Sequence, residues 1–463
     1  MRIHMTPEEF RQNGYAVIDW IAEYMENVED YPVTSQVEPG EISASLPKAA
    51  PETSDGFASM LADLDEVVLP GMTHWQSPNW FAYFPANVSG PSILGDLAAS
   101  GLGAQGMLWT TSPAVTEIEA TVLDWLVDLM GLPPAWKSSG PGGGVIQMSA
   151  SDSTHAVLVV ARQARSAETS PEDMVVYASS QAHSSVEKGC RVAGIGHFRA
   201  VGVDSDFGMD AAALRAAVEQ DRADGLVPIA VVSTVGTTAT TAIDPIEVIS
   251  EVASEHGMWH HVDAAYAGTA MLCEEFRVYQ RGIERVDSYT FNPHKWMMVN
   301  FDCNVLWVAD RDPLIATMSI LPPYLANKAS DTGGIIDYRD WHLPLGRRFR
   351  SFKLWWVLRY YGAIGLRAMV RDHVKLADEF AGWVEQDDRF ELFAPHPFGL
   401  VCFSHVGGAD ATRKLADDIN ATGRVAVTPS HIDDQWFIRI AIGQTHTDVR
   451  HVEALWDLID QLA

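Results

Sequence analysis

Between residues 174 and 308 the chain switches repeatedly between two hydrophobic periods. Short, continuous apolar runs occupy 174–178, 228–232, 258–262 and 305–308. Each has the length of a strand buried on both faces. Helical patterns lie between them. One is well punctuated: Asp244 is placed to cap it, Pro245 to open it and Gly257 to close it. This alternation predicts an α/β domain around a mostly parallel central sheet. Such sheets gather their ligands at the carboxyl ends of the strands, so chemistry is expected in the residues that follow each run.

The flanking regions read differently. Thr6, Pro7 and Glu9 form a capping signature, and Tyr15, Ile18, Ile21, Met25 and Val28 recur at helical spacing. A Pro-, Ser- and Glu-rich stretch over 31–55 follows, too long for a tight connection, so this N-terminal piece is expected to wrap a partner. A second helix is predicted over 112–130, opened by Ser112 and Pro113. The glycine run 142–144 reads as a flexible connection. Beyond about Lys353, long helical patterns with strand runs at 400–404 and 436–440 suggest a smaller α+β domain. The expected division is an N-terminal segment 1–86, a large α/β domain 87–352 and a small C-terminal domain 353–463.

Charge and cysteine content narrow the class. The 463 residues carry 61 acids and 32 Lys plus Arg, a formal net charge of −29. That balance argues against nucleic acid and anionic membrane surfaces as partners. Cys190, Cys273, Cys303 and Cys402 are widely separated and form no CxxC pair, which disfavours zinc and disulfide frameworks. No apolar run approaches the about 18 residues of a membrane span. The chain reads as a cytoplasmic protein. Its acidity has one local exception, the basic cluster Arg347, Arg348, Arg350 and Lys353, read as structural or interfacial.

The strand ends carry the candidate chemistry. Lys295, one of only eight lysines, sits in an apolar and aromatic setting. Burial there favours the neutral amine that Schiff-base chemistry needs, while a snorkelling or salt-bridged lysine is the plainer alternative. Asp263 follows the run 258–262 and is placed to hold a cationic ring nitrogen. His260, His261 and Asp263 also allow a metal reading, and Asp263 a simple helix cap. Ser149 to Thr154 open a helix with small polar residues, suited to an anion or to an ordinary N-cap. This is neither a Walker loop nor a GxGxxG fingerprint. His183 follows the run 174–178, and Thr238 the run 228–232. Their common placement puts an anion cradle, a ring partner and an amine around one crevice.

Together these segments resemble the group II pyridoxal-phosphate-dependent decarboxylases, in the aromatic-L-amino-acid decarboxylase branch that includes dopa, tyrosine and tryptophan decarboxylases. The resemblance covers nearly the whole chain. Its most specific parts are His261-Val262-Asp263-Ala264-Ala265-Tyr266-Ala267-Gly268, Asn292-Pro293-His294-Lys295-Trp296 and Pro344-Leu345-Gly346-Arg347-Arg348-Phe349-Arg350-Ser351. It implies the fold type I architecture of pyridoxal 5'-phosphate enzymes and a homodimer with shared active sites. Lys295 matches the lysine of the internal aldimine, and Asp263 the partner of the pyridinium nitrogen. His183 matches the residue stacked on one ring face, and Ala265 the one packed on the other. Ala150, Ser151, Ser288 and Asn292 match phosphate positions, with His294 nearby, and Thr238 matches a further cofactor contact. The implied reaction releases CO2 from an aromatic L-amino acid through a quinonoid and leaves an arylalkylamine.

The proton donor to that carbon is expected to be Tyr324. Pro322 and Pro323 precede it and Gly333 and Gly334 follow, which suits a lid carrying one reactive residue. The resemblance places Trp75, Tyr83, Phe84, Pro85 and Ala86 around the substrate ring, with Met107, Phe301 and Gly346 as further pocket positions. Part of the aromatic cluster must still serve the core or an interface. Ala86 replaces a threonine of the animal enzymes and Met107 a phenylalanine, which predicts a broad, adaptable pocket. Aldehyde synthases on this scaffold alter the tyrosine or the histidine. This chain keeps both, which favours simple decarboxylation over that alternative, while the aromatic cluster and the absence of an obvious cation set for a side-chain carboxylate weigh against a non-aromatic substrate such as glutamate.

Overall fold

The computed structural model describes residues 4–320 and 335–463. Seven strands form the large sheet: β1 (Gly143–Gln147), β2 (Met174–Ser179), β3 (His197–Val201), β4 (Val227–Thr234), β5 (Trp259–Asp263), β6 (Ser288–Phe291) and β7 (Asn304–Val308). Their order is β1-β7-β6-β5-β4-β2-β3. The pairings among β2 to β6 are parallel, and β7 runs antiparallel to both β6 and β1. The four apolar runs thus become β2, β4, β5 and β7, all fully or nearly fully buried.

The glycine run is not a connection. Gly143 and Gly144 begin β1, and an added Cβ would meet the Trp341 ring at 2.6 Å and the Trp307 indole at 2.7 Å, respectively. Two tryptophans press on this strand, so only glycine fits, and the composition that signals a loop here marks close packing.

Asp244 is also corrected. The helix it was expected to cap spans Ile246–His256 and ends at Gly257 with φ 62°, but the Asp244 carboxylate does not cap it. It accepts instead from the backbone N–H groups of Met209 and Thr234, both at 2.7 Å. Burial pushes its pKa up to about 7 against those two hydrogen bonds.

A second, antiparallel sheet has the order β10-β11-β9-β8, from β8 (Phe390–Leu392), β9 (Leu400–His405), β10 (Thr428–Ile432) and β11 (Gln435–Ala441). The helix Arg350–Gln386 joins the two parts and spans the expected boundary at 352. Its first half packs Leu354, Val357, Leu366 and Val370 into the main core, and its second half packs Ala377, Phe380 and Val384 onto the small sheet. Gly362, at φ 63°, breaks the helix between Val357 and Leu366, within the part packed on the main core.

The N-terminal helix Pro7–Asn27 carries the expected capping box: Glu9 N–H donates to Thr6 Oγ1 at 3.1 Å, and Thr6 N–H to the Glu9 carboxylate at 2.7 Å. It buries none of its residues, and Phe10 and Tyr15 are each 61% exposed. The basic cluster is held by carboxylates. Arg347 pairs with Glu119 at 2.6 Å, both fully buried, Arg348 with Asp96 at 3.2 Å, Arg350 with Asp302 at 2.9 Å and Lys353 with Asp96 at 3.7 Å. Among the described residues no helix is long and apolar enough to cross a membrane.

Candidate active site

Asp263 is the last residue of β5, and Lys295 lies in the short helix Pro293–Trp296 directly after β6, its neighbour in the sheet. The two side chains therefore meet at the carboxyl edge. Burial lowers the Lys295 pKa; the Asp263 charge opposes that shift, and the Arg439 charge adds to it. The Lys295 Nζ stands 5.4 Å from the centroid of the Phe84 ring. Beneath it, Phe84, Tyr266 and Trp296 form a continuous stack with centroid spacings of 4.0 and 4.8 Å. Asp263 Oδ1 accepts from Ala265 N–H at 2.9 Å, and Ala265 in turn accepts from Asn292 N–H at 3.0 Å.

His183 follows β2. Its Nδ1 accepts from Ser185 N–H at 3.2 Å and lies 2.8 Å from Ser185 Oγ, so in the neutral ring the proton sits on Nε2. Desolvation lowers its pKa, with Asp263 raising and Lys295 lowering it, which places all three groups in one electrostatic neighbourhood. Thr238 lies exposed in the turn after β4, next to Ala239, whose carbonyl accepts from Arg439 Nε at 3.0 Å.

The helix Ala150–Arg165 starts at the end of β1. Ser149 Oγ accepts from Asp152 N–H, whereas the N–H groups of Ala150 and Ser151 have no protein acceptor among the described residues. They are the orphan donors that favour an anion at a helix start. Asn292 is buried, with its Oδ1 taken by Asn304 Nδ2 at 2.7 Å. His294 is buried, its Nδ1 accepting from Cys303 N–H at 2.9 Å and its ring stacked on Phe301 at 4.0 Å.

Ser288 does not join this group. It is the first residue of β6 and pairs with His261, whereas Asp263 pairs with Thr290. Four residues of extended chain, about 13 Å, separate it from Asn292. Its hydroxyl accepts from Trp259 Nε1 and lies 2.8 Å from His261 Nδ1, so it belongs to the packing beneath the site. The expectation of a phosphate contact there is overturned. His260 is likewise committed, between the hydroxyls of Ser233 and Ser250. Tyr324 lies outside the described residues.

The aromatic segment 75–87 reaches the lysine loop directly: Asn87 N–H donates to the Lys295 carbonyl at 3.2 Å. Trp75 packs on Trp80 and Tyr83 at 4.4 and 5.5 Å, Gln76 Nε2 holds the Ala86 carbonyl at 2.7 Å, and Gly443 leaves room for Pro85. Arg439 Nη2 donates to the Tyr83 carbonyl at 3.2 Å, and its guanidinium lies 5.1 Å from the Phe84 ring. Arg439 was missed in the sequence, although a charge inside the apolar run 436–440 is a usable signal. Met107 and Gly346 form a second group: the Met107 carbonyl accepts from Arg339 N–H at 3.0 Å, and the Gly106 and Arg347 backbones are joined at 3.0 Å.

Five buried histidines make the fold acid-sensitive. Burial holds His260, His294 and His342 at about 3 and His261 and His373 at about 4. In the unfolded chain each titrates near 6.5. Their neutral forms favour the native state fully above pH 6.5, and that stability is lost as pH falls, by up to about 1.4 kcal/mol per pH unit per histidine. The urea midpoint is expected to drop between pH 7 and pH 5. A midpoint that held or rose over this window would contradict the assignment.

A buried amine with a lowered pKa, a carboxylate and an imidazole in its electrostatic neighbourhood, and a helix start with free N–H groups match the aldehyde, ring nitrogen, ring face and phosphate of one cofactor. The fold and this donor set define a pyridoxal-phosphate enzyme of fold type I. Residues 39–406 match the model of the pyridoxal-dependent decarboxylase conserved domain. The chain is 43% identical to phenylacetaldehyde synthase of Arabidopsis thaliana, covering 99% of this chain and 96% of that protein. It is 42% identical to aromatic-L-amino-acid decarboxylase of Rattus norvegicus, covering 99% and 98%. The crystal structure of Oryza sativa TDC with PLP and tryptamine superposes with a TM-score of 0.97 at 38% identity, covering 100% and 99%. The chain belongs to the pyridoxal-dependent decarboxylase family and is a carboxy-lyase.

Proposed function

We propose that this chain converts aromatic L-amino acids to arylalkylamines and CO2, acting in the cytoplasm as a homodimer whose subunits complete each other's sites. The observation that carries the substrate class is the aromatic segment 75–87, pinned to the Lys295 carbonyl and bringing Phe84 against the Lys295 amine. The relatives named for aromatic substrates support the same reading.

Pyridoxal phosphate, when bound, supplies the electron sink for the pair left at Cα as CO2 departs. Lys295 contributes a neutral amine to anchor the cofactor aldehyde. Asp263 holds a proton at the pyridine nitrogen. His183 and Ala265 cover the two ring faces. The N–H groups of Ala150 and Ser151, with Asn292, hold the phosphate, His294 lies nearby, and Thr238 makes a further cofactor contact. Trp75, Tyr83, Phe84, Pro85 and Ala86 receive the substrate ring and exclude water, and Phe301 extends that wall. Tyr324 delivers the proton to Cα.

The division into segments 1–86, 87–352 and 353–463 belongs to the same proposal. An N-terminal helix with Phe10, Tyr15 and Ile18 exposed suits a dimerisation arm. The Met107–Gly346 group has its own bonding, apart from Lys295, and suits a contribution to the neighbouring copy's site.

The similarity to a phenylacetaldehyde synthase favours a second reading, decarboxylation with oxidative deamination. An aromatic amino acid panel with CO2, amine, ammonia and peroxide all measured separates the two. One amine per CO2 without peroxide is the expected result. Ammonia and peroxide matching CO2 would establish the second reading, and CO2 from glutamate but from no aromatic substrate would overturn both.

A further inference from the structure

Asn304 opens β7, is fully buried and is named by none of the motifs above. Its amide joins three elements. Ser153, in the first turn of the helix Ala150–Arg165, donates its hydroxyl to Asn304 Oδ1 at 2.5 Å. The two protons of Asn304 Nδ2 face three acceptors, Thr290 Oγ1 at 2.8 Å, the Phe291 carbonyl at 2.9 Å and Asn292 Oδ1 at 2.7 Å, so one proton is shared between two of them.

The orientation of this amide is determined by chemistry. The Phe291 carbonyl only accepts, so the atom facing it is Nδ2. The Thr290 hydroxyl spends its proton on the Val305 carbonyl at 2.8 Å, so it too accepts from Asn304. The atom of Asn292 facing the same NH2 group must then be its oxygen. That leaves the Asn292 NH2 group, for which no protein acceptor exists among the described residues, as the edge turned away from Asn304. The Asn292 backbone is committed as well, its N–H to Ala265 and its carbonyl to Lys295 N–H.

We infer that Asn304 is a positioning residue for the cofactor phosphate, fixing Asn292 with its two N–H donors outward and locking Asn292 to the helix start at Ala150. The inference rests on the reading of Asn292 as a phosphate contact. Asn304 acts through Asn292 and Ser153 and touches no reacting atom. A carboxylate in its place would offer only acceptors to Asn292, Thr290 and Phe291, so Asn292 would turn its NH2 inward and lose its outward donors.

The test titrates the apoenzyme, prepared from purified holoenzyme, with pyridoxal 5'-phosphate and separately with pyridoxal. Binding is followed by tryptophan fluorescence in the parent, N304D, N304S and N292A. For N304D, affinity for the phosphorylated probe is expected to fall about tenfold or more, and affinity for pyridoxal less than threefold. N304S, which keeps a small hydroxyl and admits water, is expected to show the same preference in weaker form, and it decides the matter should N304D fail to fold. Equal losses for both probes, or no loss for either, would overturn the role of Asn304. An unchanged preference in N292A would instead remove the phosphate contact on which the inference rests, whatever Asn304 does.

Discussion

Replacing Lys295 by alanine is expected to lower amine release about a thousandfold or more and to abolish the visible band of the bound cofactor. The sharper variant is Lys295→Arg. Arginine keeps the positive charge and much of the reach but does not deprotonate in a protein. Lys295 is buried against Phe84, and desolvation lowers its pKa, so this position suits a neutral amine rather than a fixed cation. If the residue served as a counter-charge to Asp263, arginine would preserve most of the rate. If it serves as a nucleophilic amine, arginine and alanine fail alike. Retention of more than a tenth of the parental rate in Lys295→Arg would refute the assignment. Circular dichroism of both variants separates this loss from a folding defect.

How much of this was legible in the sequence varies with the physics that each residue reports. The runs that became β2, β4, β5 and β7 are legible because a strand buried on both faces must be continuously apolar. The antiparallel direction of β7 is not, since a hydrophobic run carries no sign of chain direction. Gly143 and Gly144 misled because glycine serves both as a loop residue and as the only residue that fits beneath Trp341 and Trp307. The helix Arg350–Gln386 serves both cores, changing from one to the other between Val370 and Ala377, and no residue type along it marks that change.

The site follows the same logic. Asp263 and Lys295 could be brought together from the sequence because both follow strands, and strand ends share an edge. Ser288 could not be excluded, because nearness to Lys295 in a motif says nothing about height along β6, and four extended residues separate it from the crevice. Arg439 was legible as a charge within an apolar run. Asn304 was not, because its role depends on which acceptors surround it after folding.

Asp263→Asn should cost about 10²- to 10³-fold in amine release, or about 3–4 kcal/mol of lost electrostatic stabilisation. The substitution keeps the shape and an oxygen able to accept from Ala265 N–H. It removes the charge that opposes the desolvation of Lys295 and of His183. The sign of that loss makes the experiment decisive. Without the Asp263 charge both pKa values move lower still, so more of Lys295 is the free amine at neutral pH. Were tuning of Lys295 the whole purpose of Asp263, cofactor capture would improve and the acid limb of the rate profile would shift to lower pH with the maximal rate preserved. If Asp263 holds the proton at the ring nitrogen, the acid limb still shifts down while the plateau falls by the stated factor. A shifted limb with an unchanged plateau would therefore reduce Asp263 to a modulator of the lysine. A collapsed plateau in Asp263→Asn, with partial recovery in Asp263→Glu, would assign the charge to the reaction itself.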